Sequence, residues 1–248
     1  MKDDLKDTTF LLLVRLDTIE RLENTLVTIN YLITNFNTNI KVLEVAPYCS
    51  GLLKKMLHRK VEYGFKEDCD PILFRTRYLN DMIRSVTTPY VSVWDVDVIA
   101  PASQIIESVE LLRSDKADFV YPYESKLLDT SPILRNLYIK TKRLSLFCKN
   151  IYKMREMHPP KSVGGAFICK LDCFIKVGLE NEKFYGWGVE DGERYNRWKK
   201  NGYIIKRANG VMFHLSHPRG VNSVMHNQDQ KHIKLRMWED SNRQGLLE

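Results

Sequence analysis

The chain has no paired-cysteine pattern, no long apolar run and no glycine-rich phosphate loop, and each absence excludes a class of protein. Its five cysteines (Cys49, Cys69, Cys148, Cys169 and Cys173) are an odd number without Cys-x-x-Cys spacing, which excludes a disulfide framework and a zinc ribbon. Reduced thiols fit a cytoplasmic setting. The apolar stretch Phe10 to Val14 is too short to span a bilayer, and Met1 to Asp7 carries acids in place of the basic flank of a signal peptide. A soluble chain is expected, at most peripheral at the inner face of the cytoplasmic membrane. The first apolar run leads into Val14-Arg15-Leu16-Asp17, so no Gly-x-Gly-x-x-Gly cradle follows it, which argues against NAD, FAD and P-loop nucleotides. No repeat or low-complexity run appears.

At 248 residues, 44% hydrophobic and 28% charged, the chain suits one α/β domain with a helical elaboration. The net charge of +7 is unevenly placed. Between Tyr123 and Lys161 nine bases face three acids, so this span holds six of the seven excess positive charges. Such a patch attracts anionic lipid headgroups, a phosphorylated acceptor or nucleic acid, although a solvated helix face has the same composition.

Periodicity gives β-α-β-α-β-α-β order through the first hundred residues. Strands are expected at Thr9–Leu16, Lys41–Ala46, Val61–Phe65 and Tyr90–Asp95, with helices at Ile19–Asn35, Leu52–Leu57 and Thr76–Ser85. This order predicts a Rossmann-like half with a mainly parallel sheet flanked by helices, binding its ligand at the strands' carboxyl ends. Downstream, helices are expected at Ala102–Ser114, at Pro132–Met154 with a break near Thr141, at Leu171–Val177, Asp191–Asn201 and Val224–Trp238. Short strands are expected at Phe119–Tyr121, Gly165–Cys169, Tyr203–Lys206 and Val211–Phe213.

Three segments carry chemistry. The run Val91-Ser92-Val93-Trp94-Asp95-Val96-Asp97-Val98-Ile99 sets two carboxylates at the end of a buried strand, where hard oxygen ligands suit Mn²⁺ or Mg²⁺. Two acids there could also simply end a strand and cap the next helix. Phe184-Tyr185-Gly186-Trp187-Gly188-Val189-Glu190-Asp191 offers an indole for stacking on a sugar ring, glycines that admit a close ligand, and two carboxylates at a helix start. The helix terminus is expected to hold both Glu190 and Asp191 ionised, one of them as general base. His214-Leu215-Ser216-His217-Pro218-Arg219 supplies two imidazoles able to share a metal with the Asp pair, and a guanidinium for phosphate.

In this order, together with Phe74-Arg75-Thr76-Arg77 and Val163-Gly164-Gly165, these segments resemble glycosyltransferases of the A-type fold. The resemblance is to the group with the β-1,4-galactosyltransferases, the polypeptide N-acetylgalactosaminyltransferases and bacterial polysaccharide sugar transferases. It implies one glycosyltransferase domain over 1–248, with a nucleotide-binding half to about residue 100 and an acceptor half beyond it. A basic helical insertion at 123–161 and a C-terminal helix complete the expected architecture. It implies a UDP-sugar donor, a carbohydrate or glycolipid acceptor and Mn²⁺ or Mg²⁺. Asp97 would bind the metal with His214 or His217, and Asp95 would reach the ribose or the metal. Arg15, Asp17, Arg77 and Arg219 would contact the nucleotide. Gly164, Gly165, Trp187 and Gly188 would line the sugar pocket, Glu190 would hold a hydroxyl, and Asp191 would be the base.

The retaining relatives carry Asn where this chain has Asp191, which favours inversion. The galactosyltransferases carry a third acid where Gly192 stands, a departure that bears on acceptor recognition. The expected setting is bacterial surface-polysaccharide synthesis. A nucleotidyltransferase or metal-dependent phosphohydrolase would use the same Asp pair but leave the Trp187 segment without a task. A nucleic-acid or lipid-surface binder could use the basic span with Tyr138, Phe147 and Tyr152, but no nucleic-acid motif accompanies them, and nucleic acid is not an expected partner.

Overall fold

The computed structural model describes residues 2–223 and 235–239. The chain opens with β1 (Asp3–Val14), α1 (Ile19–Asn35), β2 (Phe36–Ala46), α2 (Leu52–Met56), β3 (Val61–Glu67), α3 (Arg75–Arg84) and β4 (Tyr90–Trp94). The β1 run Phe10-Leu11-Leu12 is wholly buried, as a strand covered on both faces must be. α1 begins where Thr18 accepts a hydrogen bond from the Arg21 N–H at 3.1 Å, a side-chain cap for one orphan donor of the first turn.

The second half runs β5 (Val98–Ile99), α4 (Ala102–Arg113), β6 (Phe119–Tyr121), β7 (Leu127–Asp129), α5 (Pro132–Thr141) and α6 (Ser145–Cys148). A 3-10 turn at Ile151–Lys153 follows, then β8 (Arg155–Met157), β9 (Ala166–Lys170), α7 (Leu171–Lys176), α8 (Glu190–Lys200), β10 (Ile205–Arg207) and β11 (Met212–His214). Seven strands form the main sheet in the order β10-β6-β9-β4-β1-β2-β3. Its pairs are parallel except where β9 lies antiparallel between β4 and β6. This is the mixed α/β architecture expected of the A-type glycosyltransferase fold.

A second sheet, β5-β11-β7-β8, was not foreshadowed by the periodicity. It corrects the reading of 123–161 as a helical insertion, since that span contributes both β7 and β8. The helix expected over Pro132–Met154 does break near Thr141, because Lys142 takes a left-handed φ of 55° and turns the chain. Beneath it lies a smaller core of Val27, Ile99, Leu128, Leu134, Tyr138, Phe147, Phe213 and Leu215, separate from the main core around β1 and β4.

Arg135, buried on α5, locks these layers together. It donates to Asn24 Oδ1 at 2.9 Å, to the Glu20 carbonyl at 2.9 Å and to Glu23 at 2.8 Å, while Asn24 Nδ2 donates to the Leu215 carbonyl at 2.8 Å. All five cysteines are free thiols. Among the described residues no helix is long and apolar enough to cross a membrane. Of the helix expected over Val224–Trp238, residues 235–239 are helical and 224–234 lie outside the described residues, as do His226 and His232.

Candidate active site

β4 ends at Trp94, and the chain then turns through Asp95-Val96-Asp97 into β5 in the second sheet. The Asp95 N–H donates to the Gly165 carbonyl at 2.8 Å, and the Leu215 N–H donates to the Asp97 carbonyl at 2.7 Å, so backbone bonds pin both ends of the turn. His214 pairs with Val98 across β11 and β5, with Asp129 across β11 and β7, and Asp129 pairs with Arg155 across β7 and β8. One row of residues across four strands therefore brings His214 beside Asp97 and seats Asp129 behind the imidazole.

Asp97, His214 and His217 offer ligand atoms that all lie within 4.8 Å of one another. Asp97 Oδ2 stands 3.0 Å from His217 Nε2 and 3.8 Å from His214 Nε2. Each ring turns its other nitrogen outward: His214 Nδ1 lies 2.8 Å from Asp129 Oδ1, and His217 Nδ1 lies 2.8 Å from the Pro218 carbonyl. Oxygen acceptors on both Nδ1 atoms select the tautomer whose Nε2 lone pair faces the Asp97 carboxylate. Two converging lone pairs beside an anionic oxygen repel one another unless a cation sits among them, so this donor set fits a divalent metal. Burial works against the charged form of Asp97, but Arg21 and, when the imidazoles are protonated, the charges of His214 and His217 with a hydrogen bond from His217 together hold its carboxyl well below the usual carboxylate range.

A cavity of about 370 Å³ opens beside this cluster. Of the residues singled out from the sequence, Arg15, Asp17, Asp95, Asp97, Gly164, Gly165, Trp187, Gly188, Glu190, Asp191, His214, His217 and Arg219 all line it. Arg77 does not, and this corrects its assignment to the nucleotide. Arg77 is exposed on α3, while Arg75 lines the cavity and donates to Asp95 Oδ1 at 2.6 Å. Two residues along a helix is a turn of about 200°, so only one of the two arginines can face the site. Arg75 Nη1 is buried without a hydrogen-bond partner among the described residues, a donor available to a bound anion.

In the same lining, Gly186 and Gly188 flank Trp187, whose ring centroid lies 6.3 Å from that of His158. Val189 precedes α8 with φ of 59°, a conformation that costs a β-branched residue about 1–3 kcal/mol. Such strain persists only where neighbours hold it, and here it aims the first turn of α8 into the cavity. Asp191 Oδ1 accepts from Arg194 at 2.6 Å, and Arg194 is itself fixed by buried Glu180 at 2.8 Å. Asp191 Oδ2 faces Gly164, where even a Cβ would come within 2.7 Å of it. Gly165 takes φ of +83°, a conformation that side-chain-bearing residues rarely adopt, and a Cβ there would also require the Met212 terminal methyl, at 2.6 Å, to move.

Glu190 departs from expectation. Its Oε2 accepts from the Gly188 N–H at 2.7 Å, yet burial, and then the neighbouring Asp191 charge, push its carboxyl up to about 7. Desolvation outweighs the helix terminus, which is too weak to hold this buried carboxylate ionised.

The sequence reading missed Arg75, Arg21, Asp129 and His158. Arg75 lay inside a quoted motif, but only the start of α3 tells it from Arg77. Arg21 stands four residues after Asp17 in α1, a spacing that places it 2.9 Å from Asp17, and it reaches within 3.7 Å of Asp97. Asp129 and His158 carry no local signal, because strand register and a loop bring them in.

Residues 145–219 match the family model described as the N-terminal domain of galactosyltransferase. The match spans the Gly164–Gly165 pair, the Trp187–Asp191 segment and both histidines. Among solved structures, the catalytic domain of Drosophila β1,4-galactosyltransferase 7 in complex with xylobiose is similar over 94% of this chain and 79% of that one, at 16% identity and a TM-score of 0.52. A mutant of the same Drosophila enzyme, in complex with manganese, UDP-Gal and xylobiose, is similar over 92% of this chain and 79% of that one, at 16% identity and a TM-score of 0.53. No curated protein sequence matches the chain. The chain shares the A-type glycosyltransferase fold of these solved structures, and its residues 145–219 resemble the galactosyltransferase group.

Proposed function

We propose that this chain is a metal-dependent, inverting transferase that moves a hexose or N-acetylhexosamine from a UDP-sugar to a hydroxyl of a carbohydrate or glycolipid acceptor. The observation that carries the reading is the presence of two unlike sites in one cavity, the Asp97–His214–His217 cluster and the Asp191 carboxylate. Residues up to about 100 supply the donor side. The later residues supply the histidines, the sugar platform and the base. The solved relative that holds manganese, UDP-Gal and xylobiose supports the substrate classes.

Mn²⁺ or Mg²⁺, held by Asp97, His214 and His217, would neutralise charge on the departing diphosphate. Arg15, Asp17, Arg75 and Asp95 form the nucleotide end of the cavity, with Arg75 Nη1 and Arg219 as donors to anionic oxygen. Trp187 presents its indole to a sugar ring, and Glu190, near half-protonated at neutral pH, can donate to or accept from a sugar hydroxyl. Arg194 fixes Asp191 through Oδ1. Asp191 Oδ2 then takes the proton of the acceptor hydroxyl as the hydroxyl oxygen attacks the anomeric carbon, the bond from that carbon to the phosphate oxygen breaks, and UDP leaves with inversion.

The test is a panel of UDP-sugars with simple glycoside acceptors and Mn²⁺, with products separated and their anomeric configuration read by NMR. UDP release with an inverted glycoside is expected. A product that keeps the donor's configuration would remove the single displacement, and release of pyrophosphate or inorganic phosphate would remove glycosyl transfer.

A further inference from the structure

The cavity takes none of its lining from residues 132–155, the heart of the basic span. From Pro132 to Arg155 the chain has no acidic residue, and of its seven bases only Arg135 is buried. Arg155 is answered by Asp129 at 3.3 Å, whereas Lys140, Lys142, Arg143, Lys149 and Lys153 are exposed and form no ion pair among the described residues. Apolar side chains stand among them in water. Ile133 is 73% exposed and Tyr152 79%, the two most exposed large hydrophobics among the described residues, and Leu137 and Ile151 join them.

The folding of the segment explains this arrangement. Leu134 and Tyr138 turn inward, with the Tyr138 ring tilted against Phe147 of α6 at a centroid distance of 4.6 Å, and Arg135 clamps the same side of the helix to α1. Ile133, Leu137 and Lys140, at i, i+4 and i+7, then form one outward stripe of α5. The left-handed turn at Lys142 brings the chain back through α6 to the 3-10 turn, where Lys153 Nζ lies 5.4 Å from the Tyr152 ring centroid. The inner side of this elbow is spent on the core, so its outer apolar groups are not core residues out of place.

We propose that the elbow formed by α5, α6 and the following 3-10 turn docks the protein on a bilayer containing anionic phospholipid. Bases without acidic neighbours match anionic headgroups, and isolated Ile, Leu and Tyr side chains match the boundary between headgroup and acyl chain. A nucleic acid would engage the bases and Tyr152 but has no use for Ile133 and Leu137. The inference does not rest on glycosyl transfer, and the binding assay below is read without turnover.

The test is co-sedimentation of the full chain with phosphatidylcholine vesicles, with and without an equal amount of phosphatidylglycerol. Binding is expected only to the anionic vesicles. Neutralising three bases as Lys140→Gln, Lys149→Gln and Lys153→Gln is expected to lower the partition coefficient roughly 100-fold. Ile133→Ser with Tyr152→Ser is expected to lower it roughly 10-fold at unchanged charge. Lys54→Gln, Lys55→Gln and Lys60→Gln, in an acid-free stretch elsewhere in the chain, serve as the equal-charge control and are expected to stay within about 3-fold of wild type. All these side chains are exposed, and unchanged melting curves would verify folding. The proposal is overturned if the control triple loses as much as the first, if the apolar pair has no effect, or if polyuridylate binds more tightly than anionic vesicles.

Discussion

Two acid pairs line the one cavity, and they show how little spacing alone says about a carboxylate. Asp95 and Asp97 follow a strand, and Glu190 and Asp191 open a helix. Asp97 meets two imidazoles and is held ionised, while Glu190 meets a backbone N–H and a neighbouring anion in a dry setting and is pushed up to about 7. The metal end of the site depends on what stands behind its ligands, and the base end on what excludes water from them.

The comparison breaks most sharply at Asp191. Asp191→Asn keeps the shape and the Arg194 contact but cannot take a proton, so turnover is expected to fall roughly 10²–10⁴-fold with UDP affinity unchanged. Wild-type turnover in that variant would end its role as base. At the metal end, Asp129→Ala removes the acceptor on His214 Nδ1 and is expected to weaken Mn²⁺ affinity roughly 10–100-fold in a direct metal titration. An unchanged affinity would show that the cross-strand row does not orient the ligand.

Arg75 and Arg77 sharpen the donor side of the same contrast. Arg75→Ala is expected to weaken UDP binding roughly 10-fold or more, the worth of a charge-assisted hydrogen bond, while Arg77→Ala leaves it within about 2-fold. The reverse order would restore the assignment made from sequence.

The smallest effect concerns Glu190 and stability. Its folded-state value lies above its ordinary 4.5, so the fold favours the protonated form. That stability is complete below about pH 4.5 and is lost as pH rises through about 7. Between pH 4.5 and 8 the wild type is expected to lose several °C more in Tm than Glu190→Gln, which has no proton to release. Parallel Tm profiles would show that burial does not shift this carboxyl.

Much of this architecture is legible in the sequence because its signals are local. α1 coincides with the expected Ile19–Asn35, since a capping Thr18 and a regular apolar stripe mark it, and β1 and β4 read as continuous apolar runs. What escapes reading is set by register and burial. β7 and β8 are three residues each, too short for an alternation, so of the second sheet only β11 has an expected counterpart, at Val211–Phe213, and Asp129 behind His214 carries no local signal. The choice of Arg75 over Arg77 turns on a single residue of helix phase. The protonation of Glu190 depends on water being excluded, which no motif records. Two histidines were read as competitors for one metal position, and the fold brings both to Asp97.

The most direct test of the account is calorimetric titration of UDP, with and without Mn²⁺, into the wild type and an Asp97→Ala variant. Binding that requires Mn²⁺ in the wild type and vanishes in the variant is the predicted result. UDP affinity indifferent to Mn²⁺, or unchanged when Asp97 is removed, would contradict the assignment of the Asp97–His214–His217 cluster to the donor's metal.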